Sequence, residues 1–118
     1  PEKTGRYCLF VADGKVLLER RPPSGIWGGL LALPEGEPDL LAASLGLRIL
    51  AREDLPPHRH AFTHFRLTMH TVRCVVEAPS ACGEAGTIWL PLSGIAGAGV
   101  PAPVLRILTS LGHAVRDT

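Results

Sequence analysis

His58-Arg59-His60-Ala61-Phe62-Thr63-His64-Phe65-Arg66-Leu67-Thr68-Met69-His70-Thr71-Val72-Arg73-Cys74-Val75-Val76 is the stretch whose pattern sets the fold class. Phe65, Leu67 and Met69 alternate with Arg66, Thr68 and His70, and the apolar phase then moves to Val72, Cys74 and Val76. Alternation with period two marks a β-strand, and a change of phase implies an extra residue or a bend. A long strand with a bulge or bend is expected here, one face packing and the other reaching solvent. Between Leu55 and Val76 the chain carries no acidic residue, three arginines (Arg59, Arg66, Arg73) and four histidines (His58, His60, His64, His70).

Upstream, Leu55-Pro56-Pro57 breaks the chain, and Leu47 to Ala51 reads as another strand. Before it, Pro38 can open a short helix with Leu40, Leu41 and Leu45 on its packed side and Gly46 as its stop. The beginning of the chain reads as a hairpin, Arg6 to Ala12 and Lys15 to Arg20, reversed at Asp13-Gly14. A shaped loop from Arg21 through Trp27-Gly28-Gly29 leads into a short strand, Leu30 to Leu33. Downstream, Ala78 to Gly86 reads as a turn-rich connection, Thr87 to Leu90 as a strand, and Ser93 to Pro101 as a glycine-rich loop. Pro103 begins a closing helix with Val104, Leu105, Leu108 and Leu111 at helical spacing, ended by Gly112. The economical architecture is α+β, a mixed sheet packed with two helices in one domain over residues 1–118.

Composition narrows the function. The 118 residues carry 12 Lys and Arg against 11 Asp and Glu, so composition alone shows neither a polybasic nucleic-acid binder nor an acidic tail, and any charge signal must be local. Cys8, Cys74 and Cys82 lack metal-ligand spacing and are expected as reduced thiols. No apolar run approaches the ~20 residues that span a bilayer; the expectation is a cytoplasmic protein with no membrane partner.

Two stretches carry a family resemblance. Leu17-Leu18-Glu19-Arg20-Arg21-Pro22-Pro23-Ser24-Gly25-Ile26-Trp27-Gly28-Gly29-Leu30 and His60-Ala61-Phe62-Thr63-His64-Phe65 resemble the C-terminal domain of adenine DNA glycosylases of the MutY family. Ile88 to Leu92 and Ala102-Pro103-Val104 resemble that domain's last strand and final helix. The resemblance implies a Nudix-like fold and a DNA-repair role: reading 8-oxoguanine opposite adenine while a separate catalytic domain of the same parent chain removes the adenine. That family's adenine pocket, catalytic carboxylates and iron–sulfur cluster belong to the other domain and have no counterpart here, so no catalytic residue and no cofactor is expected in this chain.

Nudix hydrolases hold magnesium on a helix bearing Arg-Glu and a Glu-Glu pair. Aligning the terminal glycine of that box with Gly46 puts Asp39-Leu40 and Ala43-Ser44 at those places. Leu40, Ala43 and Ser44 offer no charge to a cation that needs converging oxygens.

The resemblance makes Phe62-Thr63-His64 the lesion reader. The damaged base presents an N7–H donor and a new O8 acceptor where guanine has an acceptor at N7, and one Thr hydroxyl can both donate and accept. Thr63 stands where Ser is commoner in the family. Arg59 and His60 flank the motif, and Arg20, Arg21 and Ser24 in the first loop are further candidates for DNA contact. The plain alternatives are a core Phe62, a strand-capping Thr63, and Arg20 or Arg21 as structural partners of Glu19 or Glu35. Trp27 and Trp89 are expected to fill pockets between loop and sheet. The expected partner is duplex DNA with an 8-oxoguanine·adenine pair, bound by a monomer. A free-standing Nudix-type hydrolase of oxidised nucleotides and a protein-interaction module are the competing functions.

Overall fold

The computed structural model describes residues 2–24, 28–77, 86–91 and 99–110. Strand β1 (Glu2–Ala12) begins at Glu2 rather than Arg6 because its first residues pair with a distant strand, β6 (Arg66–Glu77). The two run parallel in unbroken register from Glu2↔Arg66 to Val11↔Val75. Asp13 (φ 53°) and Gly14 (φ 71°) both take the left-handed backbone that a tight hairpin turn requires. They return the chain as β2 (Lys15–Arg20), antiparallel to β1 through Val11↔Val16 and Ala12↔Lys15.

Beyond those pairs β1 and β2 diverge, and the segment holding β3 (Leu31–Ala32) fills the gap. Glu19↔Ala32 and Arg20↔Leu31 join it to β2, while the Cys8 N–H donates to the Pro34 carbonyl at 2.9 Å. On the other side of β2 lies β7 (Thr87–Pro91). Strands β4 (Arg48–Asp54) and β5 (His58–Ala61) both pair antiparallel with β6, β4 along Val72 to Glu77 and β5 along Arg66 to Met69. They form one edge interrupted at Pro56-Pro57, where proline supplies no N–H for a ladder.

The centre of the sheet is buried on both faces. On one, Tyr7, Leu9, Val11, Leu67 and Met69 pack with Val104 and Leu108 of α2 (Ala102–Ser110). On the other, Cys8, Phe10, Val72, Cys74 and Val76 pack with Ala42 of α1 (Pro38–Leu45). Gly46, at φ 71°, terminates α1 as expected, and the Leu47 N–H closes back to the Ala42 carbonyl at 2.8 Å.

Double-sided burial corrects the reading of residues 58–76. The apolar phase change is not a bulge in β6, whose register with β1 never shifts; Leu67 and Met69 face α2 while Val72, Cys74 and Val76 face α1. The irregularity lies in the neighbour: β4 slips between Ile49 and Ala51, leaving Leu50 as the extra residue, 53% exposed. The stretch is also not one strand, because β5 and β6 are the arms of a hairpin with Phe62 to Phe65 between them. A second correction concerns α1. Leu40 was expected on the packed side but is 72% exposed, and Ala42 is buried instead. Pro38 and Ala42 are buried and Leu41 and Leu45 are half-buried against the same core, which sets the rotation of this short helix.

Trp27, the connection 78–85, Cys82, the loop 92–98, Leu111 and Gly112 lie outside the described residues. Among those described, no helix is long and apolar enough to cross a membrane.

Candidate nucleic-acid interface

The β5–β6 hairpin presents Thr63 and His64 at its tip. Ala61↔Arg66 is the last strand pair, and the Phe62 N–H then donates to the Phe65 carbonyl at 2.7 Å, leaving Thr63-His64 as the reversal. No residue from Phe62 to Phe65 is Gly, Pro, Asn or Asp, the usual turn formers. Aromatic packing closes the turn instead. The Phe62 and Phe65 rings stack with centroids 4.6 Å apart and planes at 22°, and His60 meets Phe62 edge-on at 4.6 Å. The Lys3 ammonium sits over the Phe65 ring, 4.5 Å from its centroid. Both phenylalanines are half-buried against the α2-side core, so Phe62 anchors the hairpin.

Thr63 and His64 are exposed, and among the described residues neither side chain spends a hydrogen bond or ion pair. They border an open depression of ≈ 430 Å³ with Arg66 and Glu2. A rigid base with an uncommitted hydroxyl and imidazole at its summit is suited to meeting an external polar edge, since little ordering is left to be lost on contact.

Strand register sorts the other candidates by face. His58↔Met69 and His60↔Leu67 place both histidines toward α2, where Arg106 Nη2 lies 3.4 Å from His60 Nδ1. Arg59 opposes Thr68 and projects to the other face, exposed. Burial first, then the nearby Arg106 and His60, holds the pKa of His58 below its ordinary value, and His58 Nε2 is buried with no hydrogen-bond partner among the described residues. The unfolded chain therefore takes up a proton more readily than the folded one. The stabilisation is complete above the ordinary histidine range and declines as pH falls through it. Chemical denaturation between about pH 7 and 5 is expected to show falling stability, with a shallower fall in His58→Gln; an equal fall in the variant would assign the effect to other groups.

The first loop gives a different result. Arg21 is largely buried and bonds Glu35 at 3.0 Å, with Glu19 at 3.9 Å. Glu19 Oε1 accepts the Glu35 N–H at 3.4 Å, and burial raises the Glu19 pKa. Arg21 thus ties β2 to the segment before α1, the structural role named as its alternative. Arg20 Nη1 donates to the Gly29 carbonyl at 2.7 Å, while the Arg21 N–H meets the Leu30 carbonyl at 2.8 Å, closing the loop's base. Ser24 is exposed on this loop, away from any described bond to the hairpin. Trp89 is half-buried against the α1-side core.

The surface of α1 does not fit a divalent cation. Leu40, Ala43 and Ser44 are exposed, the Ser44 hydroxyl donates to the Leu41 carbonyl at 3.0 Å, and Asp39 is held by Arg52. Glu35 and Glu37 are paired with Arg21 and Arg6. Among the described residues, no group of three His, Cys, Asp or Glu converges on a metal position. Nor do the buried thiols offer a nucleophile: burial, then the neighbouring Cys74, pushes the Cys8 pKa up to about 12.

A mixed sheet between two helices, with a box helix stripped of its carboxylates, defines a Nudix-like fold without the acidic cluster. Residues 6–110 match the family described as the NUDIX domain, and the chain belongs to that family. Among solved structures it is similar to the C-terminal domain of mouse MUTYH, determined in complex with human PCNA, at TM-score 0.75 and 23% identity, covering 100% of this chain and 92% of that one. It is also similar to the NUDIX domain of Shewanella oneidensis NrtR complexed with ADP ribose, at TM-score 0.69 and 16% identity over 100% and 90% of the chains. The MutT protein of Methanosarcina mazei Go1 gives TM-score 0.68 and 17% identity over 100% and 97%. At these identities the likeness is one of fold.

Proposed function

We propose that this chain is a DNA-repair recognition module, which reads 8-oxoguanine opposite adenine and directs adenine excision by a separate glycosylase domain. The observation that carries the proposal is the aromatic-braced hairpin holding Thr63 and His64 uncommitted at its tip. Two further facts support it: the α1 surface lacks the oxygens for a Nudix metal, and the fold resembles the MUTYH C-terminal domain. The division of labour follows from base flipping. The catalytic domain must extract the adenine from the stack, and a second module can hold the other half of the pair meanwhile.

The test joins the chain to an adenine-glycosylase catalytic domain and compares excision from 8-oxoguanine·adenine and guanine·adenine duplexes with and without it. A preference for the damaged pair that collapses when the domain is removed is the expected result; an unchanged preference sinks the reading. Phosphate release from oxidised nucleotides with magnesium distinguishes the hydrolase alternative, and no turnover is expected.

A second reading has its own observation. Exposed Leu50 lines an open depression of ≈ 520 Å³ between α1 and β4. The MUTYH domain was solved bound to PCNA, so a docking role for this apolar surface takes over if the excision preference does not depend on the domain.

A further inference from the structure

Helix α1 covers only part of its face of the sheet. On the uncovered part, strand register sets Glu2 and Thr4 of β1 beside Arg66 and Thr68 of β6, and β5 adds Arg59 opposite Thr68 and Ala61 opposite Arg66. Directly paired residues share a face, so these side chains project together, away from the α2-side core. Glu2, Arg59 and Arg66 are exposed.

This surface is continuous with the hairpin tip. Arg66 and Glu2 border both the ≈ 430 Å³ depression at Thr63-His64 and a second one of ≈ 380 Å³ that reaches Arg59 and Thr68. Arg66 Nη1 lies 3.8 Å from Glu2 Oε1, with the two side chains 76% and 71% exposed. Such an exposed pair holds its partners weakly. Arg59 makes no ion pair with any described residue. Arg59 and Arg66 are diagonal neighbours across two strands, a relation that spaces residues by about 7–8 Å, within the range over which two long guanidinium side chains can engage successive phosphates of one strand.

We propose that Arg59 and Arg66 form a clamp on the phosphodiester backbone of the strand that the Thr63-His64 tip approaches, with Glu2 as a built-in competitor that weakens binding to any duplex. The assignment rests on the DNA-reading function proposed above and adds to it Arg66 and Glu2, whose roles are electrostatic. The clamp is blind to sequence. Phosphate contacts set register and strength, while discrimination stays with the tip.

The test measures anisotropy of labelled 8-oxoguanine·adenine and undamaged duplexes against the 118-residue chain over a salt series. Arg59→Gln and Arg66→Gln are each expected to weaken both duplexes several-fold by the same factor. Each should also lower the slope of log affinity against log salt by about one. Arg59→Lys and Arg66→Lys should keep the slope, and Glu2→Gln should tighten binding to both duplexes. All three positions are exposed, and circular dichroism is the check that the variants remain folded. Unaltered slopes in the Gln variants, no gain from Glu2→Gln, or no salt-dependent binding by the unaltered chain would overturn the clamp. The ratio between the two duplexes reports separately on the tip: an unmoved ratio in Thr63→Ala removes the lesion reading and leaves the clamp standing wherever the slopes have fallen.

Discussion

Phe10→Ala is expected to lower the unfolding free energy by about 3–5 kcal/mol, against roughly 0.5 kcal/mol or less for Arg66→Ala on the uncovered part of the same sheet. Phe10 has no exposed surface and lies in the cluster between β1, β6 and α1. Its removal loses the transfer free energy of the ring and leaves a cavity, because Cys8, Leu17 and Cys74 are held by strand pairing and cannot collapse into it. A domain of this size has about 5–15 kcal/mol of total stability, so the variant should unfold at markedly lower denaturant. A midpoint shift no larger than that of Arg66→Ala would contradict the two-faced core. Leu9→Ala, on the opposite face of the same strand and also without exposed surface, should cost about 2–5 kcal/mol, which shows that both layers bear on stability.

The paired expectation bears on what the sequence made legible. Asp13-Gly14 announced its turn through residues that accept positive φ, and Gly46 marked the end of α1 for the same reason. The run Cys8-Leu9-Phe10-Val11 has no polar member, as a central strand covered on both sides requires. Residues 67–76 carry the same information in a form that period two leaves ambiguous. A shift of apolar phase arises from an inserted residue or from a change in which face is covered, and only the position of α1 and α2 decides. The parallel pairing of β1 with β6 joins residues separated by most of the chain, so no local pattern predicts it. Leu40 misled because leucines at 40, 41 and 45 look like one stripe, whereas the helix turns Pro38, Ala42, Leu41 and Leu45 to the core and leaves Leu40 outward.

At the candidate site the residues were legible and their geometry was not. The Phe62-Thr63-His64 triplet stood out by resemblance, yet its hairpin turn was hidden because aromatic stacking replaces the usual turn residues there. Arg59 and His60 are adjacent in sequence but strand alternation sends them to opposite faces, one toward the bare surface and the other toward Arg106. Arg21 and Arg20 both looked like DNA contacts. Arg21 is committed to Glu35 and Glu19, and Arg20 to the Gly29 carbonyl. The signal that could have separated Arg21 from Arg59 is the acidic company of the first loop, Glu19 and Glu35, against the lack of any acidic residue in the sequence from Leu55 to Val76.

Thr63→Ala, in the chain joined to a glycosylase catalytic domain, is expected to reduce the preference for 8-oxoguanine·adenine over guanine·adenine by about 1–3 kcal/mol, or roughly 5- to 150-fold in relative rate. On the proposed reading the hydroxyl would accept from the N7–H of the damaged base or donate to its O8, whereas undamaged guanine has no N7–H and no O8. Loss of the hydroxyl therefore acts on one duplex more than the other. Thr63→Ser keeps the oxygen and should stay close to wild type; Thr63→Val keeps the shape and should fall with Ala. The substitutions lie on an exposed tip whose bracing comes from Phe62 and Phe65, so the fold is preserved and a change in the ratio reports contact rather than unfolding. Phe62→Ala makes a poorer probe, since it removes a half-buried ring from the stack and loosens the tip together with anything the ring itself touches. If Ala and Val leave the ratio intact while removal of the whole domain abolishes it, the reader is a neighbour, and exposed His64, beside Thr63 at the tip, is the next side chain to replace.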